Sequence, residues 1–130
     1  MLEGYSRIEI NGIESTMREY CTNRLLLSSI KPGYEIIFMG LTVEDAEKLK
    51  KMKGKVLTIH REEAEDWIKL YNDSKIIRKD ITGIIKHVRK LTKTISCEVK
   101  GALKAKSLLL GLDVPVENLP LYRIEIKKTL

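Results

Sequence analysis

The stretch SKIIRKDITGIIKHVRKLTKTISCEVK, residues 74–100, decides the fold. Its apolar positions Ile77, Ile81, Ile84, Val88, Leu91 and Ile95 fall at spacings of 4, 3, 4, 3 and 4, a heptad seam along one side of a helix. Away from that seam, Lys79, Lys86, Lys93 and Lys100 recur every seven residues, with Lys75, Arg89, Lys90 and Lys104 nearby. Beyond Leu91 two readings compete. The helix continues to about Leu110, or Thr92–Lys100 is a strand in which Ile95, Cys97 and Val99 alternate with polar residues. A continuous helix lines its cations along one side over about 30 Å.

Upstream, Tyr5–Ile10 alternates polar and apolar like a half-buried strand, and Asn11-Gly12 turns the chain. Met17, Tyr20, Cys21, Leu25 and Leu27 then recur mostly at three-to-four-residue spacing, which predicts a helix from Glu14 to Ser29, ended before Lys31-Pro32-Gly33. Tyr34–Met39 is an apolar run suited to an inner strand. Thr42 caps a helix that runs to Lys53 and stops at Gly54. Lys55–His60 reads as a strand and Arg61–Tyr71 as a short acidic helix.

Downstream, Ala102–Leu110 is a helix capped by Gly111, two prolines fix a loop over 114–120, and Leu121–Lys127 is an alternating strand at a sheet edge guarded by Lys127 and Lys128. The expected fold class is α/β, with α+β as the alternative: a single layered domain spanning 1–130. Its first half is β-α-β-α-β-α, its sheet has four or five strands with helices packed on it, and its basic, helical second half ends in an edge strand.

Charge divides the chain. Residues 1–72 hold 11 Lys and Arg against 12 Asp and Glu, and residues 73–130 hold 13 against 6, so the net +6 comes from the second half. A clustered excess of cations suits a polyanion. The preferred expectation is therefore a non-enzymatic protein contacting DNA or RNA backbone non-specifically through Lys79, Lys86, Arg89, Lys90, Lys93, Lys100 and Lys104. Aromatic residues make up 5% of the chain, and none lies between Asn72 and Pro120, which argues against base-stacking platforms and sequence readout in this stretch. The alternative is a protein-interaction module, a homodimer or a subunit or inhibitor of a larger complex, using Ile77, Ile81, Ile84, Val88 and Leu91.

A third reading is a small enzyme centred on His60, which ends a predicted inner strand where ligands of open α/β sheets bind, with Glu63 orienting it. No phosphate-binding loop, nucleophile elbow or paired metal-ligand motif occurs, so no cofactor or metal is expected. Cys21 and Cys97 lack neighbouring ligands and read as buried thiols. No apolar run approaches a membrane span, and the first residues lack the pattern of a signal peptide, which points to the cytoplasm. The absence of Gln and the wealth of Lys, Glu, Ile and Leu match heat-adapted composition.

Overall fold

The computed structural model describes residues 3–20, 31–99 and 115–129. Among these, the elements are β1 (Glu3–Ile10), β2 (Ile13–Tyr20), β3 (Tyr34–Gly40), α1 (Val43–Lys51), β4 (Val56–Ala64), α2 (Trp67–Tyr71), β5 (Ile77–Glu98) and β6 (Val116–Lys128). The strands form one antiparallel sheet in the order β2-β1-β4-β5-β6-β3. This overturns the expected layered α/β domain with a helical second half.

The first departure stems from the turn. Asn11 and Gly12 both have positive φ, 46° and 87°, as a two-residue hairpin loop of type I′ requires. Such a loop sends the chain back along the strand it came from. Residues 13–20 therefore pair with β1 from Ile10↔Ile13 to Glu3↔Tyr20 instead of coiling. Ile13, Ser15 and Met17 point inward beside Ile10, Ile8 and Ser6, a period of two that the looser three-to-four spacing hid. The remainder of the expected 14–29 helix, from residue 21 on, lies outside the described residues.

β5 corrects the seam. It is a single strand of 22 residues, which excludes the long helix and extends the strand far beyond 92–100. Register shifts between Ile85 and His87, and between Lys90 and Thr94, insert extra residues relative to β6. Ile81, Gly83 and Ile85 face the core at a strict period of two; after the first bulge Val88 takes that role opposite Ile124. The seam's steps of four and three mix the two faces: Ile84, three residues after Ile81 in unbroken register, lies on the face opposite to it, so apolar residues on both sides of a strand imitate a heptad. Gly83 shows what the inner face demands: an added Cβ would stand 2.6 Å from both Ile126 Cγ2 and the Lys127 carbonyl oxygen.

β4 likewise outruns its expectation, continuing through Arg61–Ala64 against β1, so the predicted acidic helix shrinks to α2, capped by Asp66. β6 is longer than 121–127 and lies between β5 and β3, not at an edge. The α1 helix stands as expected at its start, with the Asp45 amide donating to Thr42 Oγ1 at 3.2 Å, and it ends at Lys51.

The sheet curls until its outermost strands meet. Ser15 Oγ of β2 donates to the Gly40 carbonyl of β3 at 2.8 Å, and the far half of β5 pairs with β2 at Met17↔Cys97. Gly40 lies under that crossing, where a Cβ would stand 2.4 Å from Cys97 Sγ and 2.8 Å from Ile95 Cγ2. The curled sheet encloses Ile8, Ile10, Met17, Ile37, Met39, Ile59, Ile85, Ile124 and Ile126, all fully buried or nearly so. Helix α1 adds Ala46 and Leu49 to this core, and α2 packs on β1 and β4 with Leu70 buried. Among the described residues, no helix is long and apolar enough to cross a membrane.

Candidate nucleic-acid interface

Positions on β5 decide what became of the basic stripe. Residues seven apart in a regular strand point to opposite faces, and each bulge changes the phase again. Lys79 lies near the start of β5 with its Nζ 4.0 Å from Glu63, so its charge is partly answered. Lys100 and Lys104 lie outside the described residues. What remains together is the stretch K-H-V-R-K-L-T-K, residues 86–93, which spans both bulges and contains no acid. Its Lys86, Arg89, Lys90 and Lys93 are exposed, and none forms an ion pair among the described residues.

A second cluster joins them, one that the division of charge between the two halves of the chain conceals. Residues 48–55 read K-L-K-K-M-K-G-K, five lysines and no acid, within a half whose net charge is −1. The run begins in the last turn of α1, where cations suit the carboxyl end of the helix dipole. It continues through the turn into β4. There the Gly54 amide donates to the Ile85 carbonyl at 2.9 Å, one rung beyond the last β4–β5 pair, Val56↔Ile84. That rung sets Lys53 and Lys55 one strand spacing, about 5 Å, from the chain leading into Lys86.

Lys48 and Lys50 meet Asp45 and Glu47 on the helix at 4.0 and 3.5 Å. Lys51, Lys53 and Lys55 are exposed and form no ion pair among the described residues. Seven such cations lie on the two segments that this hydrogen bond joins: Lys51, Lys53 and Lys55 on one, Lys86, Arg89, Lys90 and Lys93 strung along the other, with the adjacent Arg89 and Lys90 on opposite faces of β5. Arg89 stands directly opposite Arg123 in the β5–β6 register, a like-charge cross-strand pairing. Arg123 and His87 both lean on Glu125, at 3.7 and 3.8 Å.

The acids gather elsewhere. On the outer face of β1, β4 and the start of β5, Arg7 and Arg78 share Glu62, with Arg78 Nε at 3.1 Å, and both also reach Asp73. Burial opposes the Arg7 charge, but its hydrogen bonds to Glu62 and Asp73 and the field of both carboxylates outweigh it, holding the guanidinium above its ordinary pKa. These pairs satisfy one another.

No protein-family model, curated protein or solved structure matches this chain.

His60 belongs to the acid-bearing face. Its Nδ1–H donates to Asp80 Oδ1 at 3.1 Å, and it lines an open groove of about 370 Å³ with Arg7, Glu9, Glu14, Glu62, Arg78 and Asp80. Glu63 does not orient it: a step of three residues along a strand brings a side chain to the opposite face, and Glu63 sits instead with Arg61, at 3.0 Å, and Lys79. His60 also stands mid-strand in an antiparallel sheet, which removes the strand-end argument for a ligand beside it. Among the described residues no group of three His, Cys, Asp or Glu is arranged to hold a metal.

The apolar seam is divided too. Ile81 and Val88 border the main core, and Leu91 borders a smaller cluster of Ile36, Phe38 and Leu121. Ile84 shares a cross-strand row with Val56 and Lys127, and Ile77 is 58% exposed. These five residues present no common face.

Proposed function

We propose that this protein is a non-enzymatic binder of nucleic-acid backbone, and that its contact surface is the pair of segments 48–55 and 86–93. The observation that carries the reading is the Gly54–Ile85 hydrogen bond, which joins two acid-free, lysine-rich segments whose seven outer cations have no carboxylate partner among the described residues. Partnered cations have already spent much of their field on neighbours; unpartnered ones are available to phosphates, whose charges succeed one another about every 1.7 Å along a duplex. Contacts of this kind position a nucleic acid without reading its sequence.

Titration of a short duplex by mobility shift or anisotropy at two salt concentrations tests the proposal. Engagement of six or seven phosphates predicts an affinity loss of about a thousandfold between 50 and 200 mM salt, with little difference between sequences of equal length. No binding at the lower salt, or binding indifferent to salt, overturns it.

A further inference from the structure

We propose that the outer face of the sheet, at the end where β3 and β4 begin, takes an unpaired base of a single-stranded nucleic acid, with Tyr34 as the stacking ring. The inference rests on the cationic surface proposed above and names its nucleic acid as single-stranded. Register places four side chains in one cross-strand row: Val56 of β4 stands opposite Ile84 of β5, Ile84 opposite Lys127 of β6, and Lys127 opposite Tyr34 of β3. Directly opposed residues share a face, so the row crosses four strands, about 14 Å at one strand spacing per step. Val56 is exposed, Ile84 and Tyr34 are half-buried, and none of the three belongs to a core cluster. No aromatic residue lies between Asn72 and Pro120, yet the fold brings one to this part of the sheet, because Tyr34 reaches β5 through β6.

Cations adjoin the row. Lys127 lies within it, exposed and in no ion pair among the described residues. Its neighbour Lys128 meets Glu35 at 3.6 Å on the other face of the same strands, so the carboxylate beside Tyr34 in the chain is turned away from the ring. Lys31 Nζ stands 6.0 Å from the Tyr34 ring centroid, at the outer limit of a cation–π contact, which sets a cation for a phosphate next to a ring for its base. At the other end of the row, Lys55 precedes Val56 and Lys86 follows Ile84 by two residues, both members of the proposed backbone surface. The backbone under the ring is fixed in advance: the Tyr34 amide donates to the Lys31 carbonyl at 3.1 Å, and the Lys128 amide to the Gly33 carbonyl at 2.8 Å. Phosphates gain nothing from Val56, Ile84 or a phenol ring, whereas a strand with unstacked bases does. Every base has a π-face, so such stacking tolerates any sequence, but in a duplex those faces are covered by the neighbouring pairs.

Wild type, Tyr34→Ala and Tyr34→Phe, each as the full chain, are titrated by anisotropy at low salt with labelled oligodeoxythymidylate, oligouridylate and a blunt duplex of the same length. Tyr34→Ala is expected to weaken single-strand binding about tenfold and to leave the duplex unmoved, while Tyr34→Phe keeps the ring and binds within about twofold of wild type. The tighter of the two single strands identifies the sugar. In the wild type, the Tyr34 ring protons should move upfield with a single strand and hold their place with the duplex, a reading that needs no variant to fold. Unchanged single-strand affinity in Tyr34→Ala, an equal loss on the duplex, ring protons unmoved by a single strand, or single strands that fail where the duplex binds overturn the stacking site while leaving the backbone surface standing. Failure of single strands and duplex alike overturns both.

Discussion

Gly83 separates the two readings of the central stretch by the sign of one substitution. In a helix, Gly83→Ala would raise stability by up to about 1 kcal/mol. In β5 the added methyl meets the backbone oxygen of Lys127 and the side chain of Ile126, so we expect a loss of about 1–3 kcal/mol in thermal or denaturant unfolding. Cys97 gives a second residue-scale prediction. Burial, ahead of the fields of Glu117 and Glu98, pushes its thiol up to about 11, against a Ser15 hydrogen bond that lowers it. The unfolded chain therefore gives up this proton first as pH rises, and folding loses stability from about pH 9 upward. In a Cys21→Ser background, alkylation of Cys97 at pH 8 should be slow until the protein unfolds. The stability difference between that protein and its Cys97→Ala derivative should shrink between pH 9 and 11. A native thiol that reacts as fast as the unfolded one contradicts this placement.

At the scale of elements, the legible parts of the sequence were those whose signals are local. Thr42 and the acids after it mark a helix start with a side-chain hydrogen bond, and Thr42→Ala should cost about 1 kcal/mol of stability by urea titration. Tyr5–Ile10, Tyr34–Met39 and Lys55–His60 also announce strands through alternation or apolar runs, and each falls on one. Asn11-Gly12 was equally plain as a turn, but its consequence for residues 13–20 comes from its type. A type I′ loop favours a returning strand over any helix, whatever the spacing of Met17, Tyr20 and Cys21. β5 was illegible for a different reason. Bulges are set by how a strand bends around a closed core, a property of the partner strands rather than of residues 77–98 alone, and the apolar residues on both faces of β5 together wrote a helical spacing over a strand. Gly83 was the local dissent, a helix-weakening residue in the middle of the supposed seam.

For the whole molecule, counting charge by halves pointed to cations as the functional signal, but it assigned them to one half of the chain. The curled sheet instead brings a lysine run from the first half beside the middle of β5, while Lys79 is turned toward Glu63 and Arg78 toward Glu62. This convergence requires the β4–β5 pairing to end where it does, at Val56↔Ile84, and no spacing within either segment contains that information. The two segments should act as one surface. The most direct test compares the salt dependence of duplex binding for four proteins: wild type, Lys51/Lys53/Lys55→Ala, Lys86/Arg89/Lys90→Ala, and a control with Lys75/Arg78/Lys79→Ala. Each of the first two triple variants should flatten the slope of log affinity against log salt by about two to three, and the control should leave it nearly unchanged. A control that flattens the slope as much as the others, or a 48–55 variant that binds like wild type, would contradict the account.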